Sequence, residues 1–243
     1  MTSRSVARAG EARAFVAGAT GYTGREVVRA LRAQGVDTVA HIRPDARALE
    51  EWRARFGALG ARVDTTPWEE GTLRATLARE RPTHVFALLG TTRARARDAR
   101  RASAVADTYE AVDYGLTAML LRVAAAMATR PLFVYLSAIG ATEEGGNAYL
   151  RARGRIEREL RESALPFLVV RPSFITGPGR DERRLAERVA AAVVDAAAAV
   201  LGALGIGAVR RWRSIDGPAL GDAIVRLALE PGAESRIVER ERL

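Results

Sequence analysis

The sequence predicts an α/β protein built on a doubly wound parallel sheet, and three observations carry that prediction. Short apolar runs at 14–17, 38–42, 83–89, 132–136 and 165–170 lack clean alternation, as expected of strands covered on both faces, and 61–64 reads as a further short strand. Between them lie segments whose apolar residues recur three and four apart, the period of a helix with one packed face. The first run ends in Gly18-Ala19-Thr20-Gly21-Tyr22-Thr23-Gly24, a glycine-spaced turn that opens into a helical pattern carrying Val27, Val28 and Leu31. Helix-length crossovers between parallel strands imply right-handed connections and the strand order 3-2-1-4-5-6.

The glycine turn has a physical reading of its own. Gly18 lets the chain turn sharply off the strand, Gly21 lets backbone approach a pyrophosphate without a Cβ in the way, and Gly24 lets helix and strand pack closely. Unpaired N–H groups and the positive dipole end of the helix then favour an anion. A dinucleotide site is the expectation, with Thr20, Tyr22, Thr23 and Arg25 in or beside the cradle.

Gly35 stops the first helix, and strand 38–42 ends at Arg43-Pro44. In such sheets the residue at this strand end selects the cofactor: an acid binds the ribose 2′-hydroxyl of NAD, and an Arg accommodates the extra phosphate of NADP. Arg43 therefore points to NADP. Arg25 adds weight, because a cation in the first turn of a helix opposes the dipole unless an anion is near. Asp45 keeps NAD open. A helix follows over 46–56, then a short strand whose last residue, Asp64, is a candidate for the adenine edge or a turn-initiating residue. Helix 68–81, with Leu73 and Leu77 inward, precedes strand 83–89, in which His84 is read as structural. Helix 103–127 carries a stripe of Val112, Leu116, Met119, Leu120, Val123 and Met127. Strand 132–136 ends at Ser137, helix 149–163 places Ile156 and Leu160 inward, and strand 165–170 runs into Arg171-Pro172-Ser173.

With 243 residues, 48% of them hydrophobic, the chain suits one globular domain spanning 1–243, in which a small helical and strand extension, 178–243, completes the substrate side. Phe174, Ile175, Trp212 and the run 189–209 supply apolar walls there, which suggests a small apolar substrate. The net charge of +9 rests entirely on Arg, because none of the 38 basic residues is Lys. These cations are spread among 29 acids, and the densest run, 93–101, has no interleaved aromatics, so a solvated face is expected and nucleic-acid binding is not. The absence of Cys excludes disulfides, thiolate metal sites and a Cys nucleophile, and no metal site is expected. Residues 1–13 have no apolar segment of the kind that directs secretion, and a cytoplasmic location follows. The small-apolar run 189–209 contains Asp195, which costs about 2.5–3.5 kcal/mol at a bilayer centre. It is read as buried or at a subunit contact rather than in lipid, with a homodimer left open.

Ser137 ends a strand at the edge of the sheet that carries the glycine turn, where open α/β sheets bind ligands. Tyr149 opens the next helix, and Arg153 lies one turn along the same face. A phenol is a useful proton donor and acceptor when a fixed cation lowers its pKa, and a serine hydroxyl can hold a substrate oxygen.

In these segments the chain resembles the short-chain dehydrogenase/reductase superfamily, in its atypical NAD(P)H-binding branch. The matching residues are Gly18 to Gly24, Leu89-Gly90-Thr91-Thr92-Arg93, Ser137-Ala138-Ile139-Gly140, Tyr149 to Glu157 and Arg171-Pro172-Ser173, all in family order. They look most like the Tat-interacting-protein-like oxidoreductase group. The resemblance implies that Ser137 orients substrate, Tyr149 transfers the proton, Arg153 replaces the family Lys at the nicotinamide ribose, and Asp113 stands where many members carry a proton-relay Asn. It also implies cofactor contacts at Leu89, Gly90, Thr91, Pro172 and Ser173. Arg153 keeps the charge of a Lys on a longer, forked side chain. The implied activity is an NADP(H)-dependent oxidoreduction of a small carbonyl or alcohol. An inactive NAD(P)H-binding regulator or assembly protein, and an NAD-dependent epimerase/dehydratase-like enzyme, are the alternatives.

Overall fold

A computed structural model describes residues 11–46, 48–90, 109–144, 147–177, 214–232 and 235–243. Seven parallel strands form the main sheet. In chain order these are β1 (Arg13–Ala17), β2 (Asp37–His41), β3 (Arg62–Asp64), β4 (His84–Ala87), β5 (Leu132–Leu136), β6 (Phe167–Arg171) and, after a separate pair, β9 (Arg236–Glu239). Their spatial order is β3-β2-β1-β4-β5-β6-β9, which contains the expected order and adds a seventh strand beside β6. The pair β7 (Ile175–Thr176) and β8 (Ile215–Asp216) makes a second small parallel sheet.

The helices are α1 (Tyr22–Ala33), α2 (Leu49–Ala58), α3 (Glu70–Glu80), α4 (Tyr109–Ala125), α5 (Ala148–Glu162) and α6 (Gly217–Leu229). They cover both faces of the sheet. Ala14 and Val16 of β1 face one apolar cluster with Val27, Leu31, Leu220 and Ile224, while Phe15 and Ala17 face the other with Leu73, Leu120, Ile156 and Leu160. This two-sided burial explains why the strands read as continuous apolar runs. Gly221 lets α6 lie on α1, since a Cβ there would sit 2.7 Å from the Glu26 side chain.

Two features depart from the expected elements. The strand β9 offers only Ile237 and Val238 between charged residues, and Ile237 is exposed, as suits a short edge strand. The first eight residues of α4, Tyr109–Leu116, are π-helical, and in them Asp113 is fully buried while Val112 is half-buried. The apolar stripe expected through Val112 is therefore replaced by an inward carboxylate, because a π-turn widens the helix and rotates its face. His84 is structural as expected: it is buried, with Nδ1 2.8 Å from the Thr83 hydroxyl and Nε2 3.2 Å from the Ala228 carbonyl. The run 189–209, Trp212, the charged run 93–101 and Thr91 lie outside the described residues.

Candidate functional site

The turn after β1 has the geometry its glycines imply. Gly18 has φ +81°, and a Cβ there would lie 2.6 Å from the Leu88 carbonyl oxygen, so the turn is pressed against the end of β4. A Cβ at Gly24 would lie 2.0 Å from the Gly18 carbonyl oxygen, which fixes how closely α1 meets the strand. The Gly21 amide donates to the Gly18 carbonyl at 3.0 Å and closes the turn. No side chain caps α1, and its first turn holds no acid. Two other helices are capped from their own sequence: Asn147 accepts from the Leu150 amide and Asp216 from the Ala219 amide. The N-terminus of α1 thus keeps its anion-attracting character.

Around this turn Thr23 and Gly24 are buried, and Thr20 and Tyr22 are half-buried. The Tyr22 hydroxyl donates to the Thr176 carbonyl at 3.0 Å, and a Cβ on Gly177 would collide with that hydroxyl and one on Gly217 with the ring. Tyr22 therefore joins the turn to the β7–β8 pair. Arg25 lies over the Tyr22 ring, 4.7 Å from its centroid. Its Nε is buried and lies 3.4 Å from Glu26, so a cation stands at the turn paired with a neighbouring acid. Glycines whose Cβ positions are taken by backbone, an uncapped helix end and this Arg fit a dinucleotide pyrophosphate.

At the neighbouring strand ends the predicted residues behave differently from one another. Arg43 follows β2, is exposed, and lies 3.7 Å from Asp45. Asp64 is engaged by its own turn, accepting from the Thr66 amide at 3.0 Å and the Thr66 hydroxyl at 2.9 Å. The turn-initiating half of its sequence reading is the one the geometry matches. Leu89 is buried and Gly90 exposed at the end of β4. Pro172 accepts from the Ile139 amide at 3.0 Å, and Ser173 beside it is half-buried.

Arg153 and Asp113 come together in the interior. The Arg153 guanidinium donates to Asp113 Oδ1 at 2.7 Å, to the Leu89 carbonyl at 3.2 Å and to the Leu136 carbonyl, tying α5 to α4 and to the ends of β4 and β5. Both residues are buried, and a Cβ at Gly90 would meet this pair 2.8 Å from Arg153 Nη2. Burial works against the Arg153 charge, yet Tyr135, Tyr149 and Asp113 hold its pKa above the usual value. Tyr149, half-buried, lies with its ring over the guanidinium, 5.0 Å from Cζ, and meets Tyr109 edge-on at 5.5 Å. The cation thus supports the phenol from its ring face.

Ser137 is also buried, and its hydroxyl donates to Glu157 Oε1 at 2.5 Å. Arg171 grips the same carboxylate with Nε at 2.9 Å and Nη2 at 2.5 Å. Sequence reading assigned no role to Glu157 or to the Arg171 side chain. The signal available was their register: Arg153, Ile156, Glu157 and Leu160 follow the inward spacing of α5. A cavity of about 740 Å³ lies elsewhere, between the C-terminal end of α1, α6 and Leu243, far from the glycine turn.

A family model described as NAD(P)H-binding matches residues 18–198. Protein FMP52-1, mitochondrial, of Scheffersomyces stipitis is 24% identical over 188 residues, covering 74% of this chain and 75% of that protein. Protein FMP52, mitochondrial, of Debaryomyces hansenii is 25% identical over 181 residues, covering 72% of each. Their names place those two proteins in mitochondria, so they lend no support to the cytoplasmic expectation. An NAD-dependent epimerase/dehydratase-like protein from Bacillus halodurans superposes with a TM-score of 0.65 at 17% identity, covering 93% of this chain and 92% of that one. An epimerase-like protein from Burkholderia cenocepacia gives 0.56 at 20% identity, covering 93% and 83%. At such identities these structures share the fold. No helix among the described residues is long and apolar enough to cross a membrane.

Proposed function

The chain belongs to the NAD(P)H-binding family, and from that premise we propose that it is an NADP(H)-dependent oxidoreductase of the short-chain dehydrogenase/reductase type. Its substrate is a small, apolar carbonyl or alcohol. The observation that carries this reading is Tyr149 seated on a buried, charged Arg153, on the helix that follows β5, a strand separated by β4 from the β1 that leads into the glycine turn. A bound nicotinamide supplies or takes up the hydride. Gly18, Gly21 and Gly24 with the N-terminus of α1 hold its pyrophosphate. The Tyr149 hydroxyl gives a proton to the substrate oxygen in reduction and recovers it in oxidation. Arg153 keeps a positive charge beneath that ring. Arg43 and Arg25 favour the additional phosphate of NADP through charge-assisted bonds.

A second reading is a nonreactive NAD(P)H-binding regulator or assembly protein. It is favoured by the engagement of both terminal nitrogens of the Arg153 guanidinium, with Asp113 and two backbone carbonyls as acceptors. The epimerase/dehydratase alternative rests on the names of structural neighbours alone.

One experiment separates the readings. NADPH and NADH affinities are measured by fluorescence titration for the unmodified and Tyr149→Phe proteins, and both are screened for carbonyl-dependent NADPH oxidation. The oxidoreductase reading expects NADPH to bind more tightly than NADH. It also expects Tyr149→Phe to keep NADPH affinity while turnover falls by about two to four orders of magnitude. Equal affinities would remove the NADP assignment, and a broad screen without turnover, with Tyr149→Phe indistinguishable, would establish the regulator.

A further inference from the structure

The buried contact between Ser137 and Glu157 constrains what the site can recognise. A serine hydroxyl has one proton and two lone pairs, whereas an ionised carboxylate only accepts. Glu157 is buried, 1% exposed, and held by a two-pronged bond from Arg171, with Arg161 Nη1 3.8 Å from Oε2. Two cations thus face this carboxylate, from β6 and from the next turn of α5. Arg171 is in turn braced by Glu239 of β9, 3.3 Å from Nη1. The Ser137 backbone is pinned as well, its amide donating to the Val170 carbonyl at 2.8 Å. With backbone and acceptor both fixed, the Ser137 proton points at Glu157.

We propose that Glu157 and Arg171 are positioning residues that make Ser137 a hydrogen-bond acceptor in the site, so that the chain selects a substrate presenting a hydroxyl donor. This rests on the oxidoreductase reading and deepens it. In an alcohol/carbonyl couple, the alcohol offers a proton to the Ser137 lone pairs, and the carbonyl oxygen faces them with no proton between. Tyr149 is then the group that donates to a carbonyl. The alcohol is the member held in the ground state.

Kinetic efficiencies in the two directions are linked by the equilibrium constant, so the test reads binding. Cyclohexanol is titrated into the NADPH-bound protein and cyclohexanone into the NADP⁺-bound protein, neither of which can turn over, and affinities are taken by calorimetry. The same titrations are made with Ser137→Ala, Ser137→Thr and Glu157→Gln. The amide of the last can donate to Ser137 and free its proton, so that the ratio of alcohol to ketone affinity should fall; an unchanged ratio in Glu157→Gln would overturn the positioning role. The expected result is a tighter alcohol, weakened roughly fivefold to tenfold by Ser137→Ala, with the ketone unchanged or improved and Ser137→Thr restoring the alcohol. A tighter ketone, equal affinities, no binding of either probe to the cofactor-loaded protein, or an alcohol indifferent to Ser137→Ala would overturn the proposal. Proton NMR of the free protein adds a measurement independent of any ligand. A slowly exchanging hydroxyl resonance, absent in Ser137→Ala, is expected from the buried bond, and its absence from the unmodified protein overturns the proposal as well. Failure to bind NADPH would instead overturn the oxidoreductase reading, with the NMR result still deciding the orientation of Ser137.

Discussion

Asp113→Asn tests whether the interior charge pair governs both stability and the site. The carboxylate is fully buried, 2.7 Å from a guanidinium that is itself buried. The substitution preserves size and one acceptor oxygen but leaves the Arg153 charge without its counter-ion. Breaking a buried pair from one side costs about 3–5 kcal/mol. Asn can still accept one bond from Arg153, so the lower end, about 3 kcal/mol, is expected. In a protein of this size each kcal/mol moves the unfolding midpoint by about 2–4 °C, giving a fall of roughly 6–12 °C. Circular dichroism melts and urea titrations measure it. The paired change Asp113→Leu with Arg153→Met removes both charges, and it should recover much of the loss because the desolvation cost goes with them. The apolar pair should still bind NADPH through the glycine turn while Tyr149 loses its cation. An Asp113→Asn protein that melts within 2 °C of the original would refute the counter-ion reasoning. The engaged guanidinium also bears on Arg153→Lys: a single ammonium cannot reproduce a fork shared among Asp113 and two carbonyls, so that variant should lose stability even where it keeps charge.

Two further outcomes follow from individual contacts. Gly24→Ala should lower NADPH affinity at least tenfold, because its Cβ would lie 2.0 Å from the Gly18 carbonyl and must force α1 off the turn; unchanged affinity in a fluorescence titration would mean the cradle tolerates the shift. Burial pushes the His84 pKa down to about 4, so the folded state keeps this ring neutral while the unfolded chain protonates near 6.5. Stability from His84 is then fully present above pH 6.5 and is lost as pH falls towards 4, by about 3 kcal/mol at most. Buried His41, also lowered by burial, adds in the same direction. His84→Gln should flatten the slope of urea stability between pH 6.5 and 4, and an unaltered slope would exclude His84 as its source.

What the sequence made legible is what repeats along it. Strands that run apolar without alternation announce burial on both faces, and the six predicted strands lie in the predicted order. The glycine turn was equally readable, because each glycine answers a local steric need that no other residue meets, as Gly18 and Gly24 show. What was lost is what depends on partners distant in the chain. The π-helical start of α4 turns Asp113 inward, yet residues 109–116 read as an ordinary amphipathic segment, since the apolar spacing alone does not show that the helix there has extra residues per turn. The edge strand β9 is too short and too charged to stand out. In a chain where every cation is Arg, a further Arg or Glu on a helix reads as solvated surface.

The helix α5 shows where that reading fails and how it can be sharpened. Most of its charged residues do face water, but its buried positions are Ala152, Arg153, Gly154, Ile156, Glu157 and Leu160. Two opposite charges thus interrupt one apolar stripe, four residues apart. A buried charge survives only with a partner, and these two find theirs in different places: Arg153 in Asp113 of α4, and Glu157 in Arg171 of β6. They do not neutralise each other, and the separation has a consequence for the site. Arg153 lies under the ring of Tyr149, while Glu157 accepts a hydrogen bond from Ser137, so one helix brings a charge to each of two hydroxyl-bearing residues. A purely structural helix would have filled both positions with Leu or Ile at lower desolvation cost. That cost is the physical reason to look for chemistry at the two residues these charges hold.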